Sequence, residues 1–218
     1  MTGRPDLALL HPPFGLVLHA GDLTLRPLAD ADLPEYAELL RRPIFEDPQS
    51  PAMFHWYRAE PDARVRNALS FQWQLRSAIS PEKWTLPLGI WADARLIGCQ
   101  DVSAVRFAER RTVSSGSWLT LDVHGRGYGT LMRQAMLVFA FDHLGARRAE
   151  SSAVIGNDAS FGVSRACGYR EDGTQVSTMP GPVEVEQRFL VTPETFRRPD
   201  VPVRVEGLTA PLREMLGA

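Results

Sequence analysis

The chain has 218 residues, 44% hydrophobic and 23% charged, with a formal net charge of −2, which suits one globular domain with appendages and gives no electrostatic reason to expect nucleic acid or an anionic membrane as partner. The only cysteines are Cys99 and Cys167, and the five histidines are scattered; this is no disulfide framework and no metal site is expected. No apolar run is long enough to span a bilayer, and the N-terminal stretch is split by Pro12-Pro13 with no basic leader, so it reads as an arm and the expected compartment is the cytoplasm.

Leu23 to Leu28 alternates as a strand, and Asp30 or Asp32 is placed to cap a helix running to about Arg42, with Leu33, Tyr36, Leu39 and Leu40 on its apolar face. Arg42 to Pro61 is irregular, broken by Pro43, Pro48, Pro51 and Pro61, and contains the cluster Phe54-His55-Trp56-Tyr57-Arg58. Asp62 to Ile79 predicts a second helix. Trp84 to Trp91 and Arg95 to about Phe107 predict a hairpin joined at Asp93-Ala94, followed by a charged turn at Glu109 to Arg111. Trp118, Leu119, Leu121 and Val123 read as a buried strand. A helix from Thr130 to Leu144 is apolar almost all round, which predicts burial on more than one side, and Gly145 is placed to end it. Arg148 to Ile155 predicts a strand, Asn157 or Asp158 the cap of a short helix ending at Gly168, and Tyr169 to Val191 two strands turning near Pro180-Gly181-Pro182. The rest is proline-punctuated, with one short helix from Ala210 to Leu216. These elements place a domain at 23–191, between an arm at 1–22 and a tail at 192–218.

Between the Trp118 strand and the apolar helix, glycines fall at Gly125, Gly127 and Gly129. Without a Cβ the backbone bends sharply there, and the unpaired N–H groups that open a helix favour a phosphate or pyrophosphate. A P-loop needs Lys and Ser/Thr after its last glycine, but Thr130 and Leu131 follow. A dinucleotide fingerprint needs a different spacing, early in a parallel βαβ unit. The acyl-CoA loop of the GNAT N-acyltransferases, Gln/Arg-x-x-Gly-x-Gly/Ala, is similar to His124-Gly125-Arg126-Gly127-Tyr128-Gly129, with His in the first place. A tight turn with no ligand is the plain alternative.

Four further features carry that resemblance. They are Leu23-Thr24-Leu25-Arg26-Pro27-Leu28 followed by Asp32; Gly116-Ser117-Trp118-Leu119-Thr120; Ala140-Phe141-Asp142-His143-Leu144-Gly145-Ala146; and Asn157 to Ser160 running on to Cys167-Gly168-Tyr169. In this order they resemble the GNAT superfamily, particularly its ribosomal-protein N-terminal acetyltransferase branch. The resemblance implies an α/β (α+β) fold, a mixed and mostly antiparallel sheet flanked by helices. It also implies a bulge that splays the Trp118 strand from the Ala149 strand.

An acyl-CoA, acetyl-CoA first, is the implied co-substrate, with pantetheine between those strands along Trp118, Leu119, Thr120 and Leu121. Backbone N–H groups from His124 to Thr130, including Arg126, would hold the pyrophosphate. A strand N–H near Leu119 or Thr120 would face the acyl oxygen. Ser160 is the implied proton donor to the leaving thiolate, and Asn157 the partner of a pantetheine amide, although a plain helix cap explains both residues. Where relatives carry a strand Glu, Ser114 and Ser115 stand, so Asp101 is the candidate base and Glu109 a weaker one. Phe54 to Arg58 would wall the acyl and acceptor pocket, and Arg58 there would suit a succinyl carboxylate; helix-packing aromatics with an exposed arginine is the alternative. The acceptor is a primary amine on a protein N-terminus, a lysine or a small molecule. A homo-oligomer is expected to pair through the tail and the Val183 to Val191 strand edge. The rival reading is a CoA-binding regulatory module without turnover.

Overall fold

The computed structural model describes residues 7–47, 55–177 and 183–218. The first described element is a single helical turn, α1 (Leu7–Leu10), followed by β1 (Val17–Ala20) and β2 (Leu23–Pro27). Helices α2 (Leu33–Leu39) and α3 (Pro61–Ser77) follow. The long hairpin is β3 (Lys83–Ala92) and β4 (Arg95–Val105), turned at Asp93 and Ala94 with φ of 49° and 63°, the paired left-handed geometry that matches strand twist in a two-residue hairpin. Next come a helical turn, α4 (Phe107–Arg110), and the short strands β5 (Thr112–Ser114) and β6 (Ser117–Leu119). Helix α5 (Tyr128–Val138) continues as a π-helical turn over Phe139–His143. The chain then runs through β7 (Arg148–Val154), α6 (Asp158–Ala166), β8 (Arg170–Val176), β9 (Val185–Val191), β10 (Val203–Glu206) and α7 (Ala210–Leu216).

The strands form one mixed sheet in the order β10-β1-β2-β3-β4-β5-β7-β9-β8, with β6 paired to β4, and β5–β7 is its parallel pair. One face packs on α5, whose Met132, Met136, Leu137 and Phe139 are all at most 3% exposed; each such side chain contributes ~1.5–3 kcal/mol by leaving water. On the other face α2 and α3 bury a second cluster around Tyr36, Leu40, Val65 and Trp91.

The structure differs from the sequence reading in five places. The Trp118 strand ends at Leu119, because Leu121–Val123 turns into a 3-10 helix whose first N–H bonds Pro43 O at 2.8 Å. The charged turn at Glu109 is helix α4, bounded by Arg106 and Arg111 at φ of 50° and 46°. The apolar helix begins at Tyr128, because Gly127 at φ 80° serves as its N-cap. The sheet also runs past both proposed domain boundaries: Val17–Ala20 from the arm pairs with Val203–Glu206 from the tail. Finally, Val185–Val191 is no edge, since β9 lies between β7 and β8; the turn at 180–182 lies outside the described residues.

The expected splay is present. Strand β5 pairs with β7 as far as Ser114 opposite Glu150, and Ser115 N–H makes the next bond, to Glu150 O at 3.2 Å. Beyond it β6 pairs with β4. Ser114 faces Ser103 and Ser117 faces Gln100, an unbroken register along β4. The gap therefore opens without the inserted residue that a bulge requires.

Candidate active site

In an antiparallel pair, alternate residues turn their backbone groups toward the partner strand. Asp101 N–H bonds Gly116 O and Thr120 N–H bonds Ile97 O, both at 2.9 Å, so Gly116, Trp118 and Thr120 turn toward β4. Ser117 and Leu119 turn their N–H groups the other way, into the gap that β7 has left. Of the two residues expected to face an acyl oxygen, Leu119 thus presents its N–H to the gap. Thr120 is fully buried, with its N–H and its hydroxyl both directed to Ile97 O. Leu121 N–H is taken by Pro43, and the Leu119 carbonyl by His124 Nε2 at 3.1 Å.

The gap leads to the glycine turn. Gly125 and Gly127 have φ of 74° and 80°, and a Cβ built on either meets nothing within 4 Å. These glycines are required by conformation, and the space above them is open. Arg126 beside them is exposed. Gly129 differs: a Cβ there would lie 3.2 Å from Val163 Cγ2, so its bareness lets α6 pack tightly on α5. Residues 128–130 form the first turn of α5, whose N–H groups have no partner within the helix and point toward the turn. Such an end fits a diphosphate. Across the gap, Asn157 caps α6 and accepts from Ser160 N–H at 3.1 Å, and Ser160 is partly buried in that first turn.

On the sheet face turned away from α5, the splay opens into a cleft of about 180 Å³, lined by residues that include Asp101, Ser114, Ser115, Glu150, Ser152 and Arg188. Asp101 Oδ1 accepts Gly116 N–H at 2.9 Å. Burial raises its carboxyl to about 6, against the Gly116 bond and the Arg133 charge, which both lower it. The Arg188 charge is matched by Asp172 at 3.0 Å, which leaves the lining net acidic. Glu109 is not among the residues that line this cleft, and it pairs with Arg106 at the surface. Glu150, Ser152 and Arg188 carry no motif. Their only sequence signal is the alternation of β7 and β9, which puts them on the open face.

Phe54 lies outside the described residues, and His55 opens a 3-10 turn over His55–Arg58. Trp56 stacks at 5.6 Å on Trp118, which also meets Tyr36 at 6.4 Å. The Trp118 side chain therefore belongs to the aromatic wall on the α2 side, while its backbone faces β4. Tyr57 donates to Arg42 O at 3.1 Å and lies under the Arg64 guanidinium at 3.8 Å, so it fastens the irregular segment. Arg58 is exposed and is not among the residues that line the cleft.

Among the described residues no helix is long and apolar enough to cross a membrane, and no group of His, Cys, Asp or Glu is arranged to hold a metal ion. Residues 22–170 match the family described as "Acetyltransferase (GNAT) domain". Similar solved structures include Mycobacterium smegmatis RimJ in complex with CoA-disulfide, 19% identical with a TM-score of 0.66, covering 84% of this chain and 90% of that one. RimL, a ribosomal L7/L12 alpha-N-protein acetyltransferase in complex with coenzyme A, is 15% identical with a TM-score of 0.63, covering 79% and 94%. A spermidine N-acetyltransferase SpeG chimera from Vibrio cholerae and hSSAT is 15% identical with a TM-score of 0.58, covering 79% and 96%. At these identities the neighbours establish the fold, and the family match spans more than half of the chain. The protein therefore belongs to the GNAT acetyltransferases and is an N-acyltransferase enzyme.

Proposed function

We propose that the enzyme transfers an acetyl group from acetyl-CoA to a cationic primary amine by direct attack, in the cytoplasm. The observation that carries this reading is the splay between β6 and β7, which has the open glycine turn at one end, the Leu119 N–H along its edge and the acidic cleft at its vertex. In it the diphosphate meets the N–H groups of residues 125–130. Pantetheine runs along β6, with the acyl oxygen at Leu119 N–H. The amine enters through the cleft as an ammonium ion, drawn by Glu150 and Asp101, and gives a proton to Asp101. Its nitrogen then bonds the carbonyl carbon, the C–S bond breaks, and Ser160 protonates the departing sulfur and regains a proton from the nitrogen, which leaves a neutral amide. That last task is modest, because a free thiol has a pKa of ~8.5. The main contribution of the fold is alignment of the two reactants.

Acetyl is favoured over succinyl because the one guanidinium proposed to pair with an acyl carboxylate, Arg58, lies outside the cleft lining. An acidic lining suits acceptors with more than one positive charge, polyamine-like molecules or basic peptide N-termini. Of the neighbours above, one is named for spermidine and one for a protein α-amine.

The test is thiol release from acetyl-CoA across a panel of amines, with coenzyme A affinity measured by calorimetry. Cationic amines should turn over, and the absence of any coenzyme A binding would sink the reading. Ser160→Ala should lower kcat about 100-fold with coenzyme A affinity unchanged. Full activity in that variant would remove Ser160 from the mechanism.

A further inference from the structure

Helix α5 carries one charge in its buried stretch. Arg133 is 3% exposed, with no carboxylate at ion-pair distance among the described residues. Its guanidinium donates to Ser117 Oγ on β6 at 3.1 Å and to Ser151 Oγ on β7 at 3.2 Å. These strands part just above, so Arg133 spans the vertex of the splay. Around it the buried polar atoms are poorly satisfied. Among the described residues Arg133 Nε and both amide atoms of Gln100 have no hydrogen-bond partner, and the Tyr169 hydroxyl interacts with the Arg133 guanidinium and the Ser115 hydroxyl. Gln100 is opposite Ser117 in register, and the Tyr169 ring lies 5.8 Å from the guanidinium carbon. Two of these residues, Ser115 and Ser151, also line the cleft.

A buried cation that touches no carboxylate is costly: Asp101 feels the Arg133 charge only across the sheet, and an apolar side chain of similar shape would be expected to fold as well or better. A second negative charge for it to match would arise transiently in the reaction. During acyl transfer, the new N–C bond pushes electrons onto the carbonyl oxygen. They return as the C–S bond breaks, and the charge passes to sulfur until Ser160 protonates it. Both anionic atoms would lie at the vertex, with Arg133 behind them, while the cationic nitrogen lies on the Asp101 and Glu150 side.

We propose that Arg133 is a positioning residue for acyl transfer, tying β6 to β7 through Ser117 and Ser151 and setting a positive charge behind the negative atoms of the transition state. The inference rests on the acyl-transfer reading above. Preorganised charge of this kind acts strongly where water is excluded.

Arg133→Met and Arg133→Lys test it, with kcat, the KM of each substrate, thermal melting and the pH profile of kcat/KM measured together. Arg133→Met should lose on the order of 100-fold in kcat, with KM for acetyl-CoA within about twofold because the diphosphate grip is elsewhere, and a melting temperature equal to or above wild type. The acidic limb should also move to higher pH, because Asp101 loses a cation that holds its proton affinity down. The other groups facing Asp101 stay in place: Glu150 and Arg188 in the cleft lining, with Glu186 bonded to Ser152 beside it, and the Cys99 thiol on its own strand. Arg133→Lys should recover part of the rate. A variant with unchanged kcat and an unmoved limb would overturn the proposal, as would a lowered melting temperature with activity lost in proportion to folded protein. If wild type itself turns over no amine, the acyl-transfer reading fails instead.

Discussion

Asp101→Asn lowers kcat/KM about 100-fold or more at neutral pH, within the range for loss of a general base. It should also flatten the acidic limb, which in wild type is expected to fall as pH drops through about 6, where the Asp101 carboxyl takes up its proton. The sign follows from the proposed role: if the carboxylate form accepts the proton of the ammonium ion, activity belongs to the high-pH side. Stability runs the opposite way. A carboxyl whose folded pKa lies above its unfolded value binds protons more readily in the native state, so its contribution to stability declines as pH rises from about 4 through 6. Asparagine keeps an oxygen for Gly116 N–H and removes the buried charge. The variant should therefore melt no lower than wild type at neutral pH, while nearly inactive. A variant with the wild-type rate would show that the amine loses its proton to water or to another group.

Ending the chain after Thr192 is expected to abolish stable folding. The lost segment includes Leu212 and Leu216, both fully buried, and Phe196, which packs edge-to-face at 5.7 Å on Phe141. It also carries the Leu216 carbonyl that accepts the Trp84 indole N–H at 2.8 Å, and the strand that covers β1. Three large apolar side chains at ~1.5–3 kcal/mol each, plus a buried indole donor left unpaired at ~1–3 kcal/mol, approach the whole stability of a typical domain, about 5–15 kcal/mol. Soluble yield and thermal melting of the shortened chain measure this. A sharp transition near the full-length temperature would show the segment to be an appendage.

Elements with a strong local pattern could be read from the sequence. The apolar circumference of α5 announced a helix buried on more than one side, and Asn157 announced the cap of α6. The Asp93-Ala94 hairpin was legible from its two flanking strands. Strands β1 and β10 were not, because four-residue strands have little periodicity and their pairing joins Val17 to Glu206, far beyond any local window. Gly125 and Gly127 were visible as a turn. The packing role of Gly129 depends on Val163, and sequence spacing alone does not bring α6 against it. The cleft residues Glu150 and Arg188 resembled the solvated side of ordinary strands. Their role depends on no described helix covering that face beside β5 and β7. Arg133 had one signal: a cation inside a run that otherwise reads as buried core.

The approach of Gly129 to Val163 couples the two halves of the proposed reaction machinery. One arm begins at the diphosphate end of α5, and the other carries Asn157 and Ser160 at the start of α6. With 3.2 Å between a built Cβ and the valine methyl, even an alanine at 129 would press the arms apart by a few tenths of an ångström. In the proposed mechanism, how tightly the nucleotide end of the donor is gripped and how well its sulfur is met by a hydroxyl are therefore not independently adjustable. Selection for faster product release by loosening the grip would also misalign the proton donor.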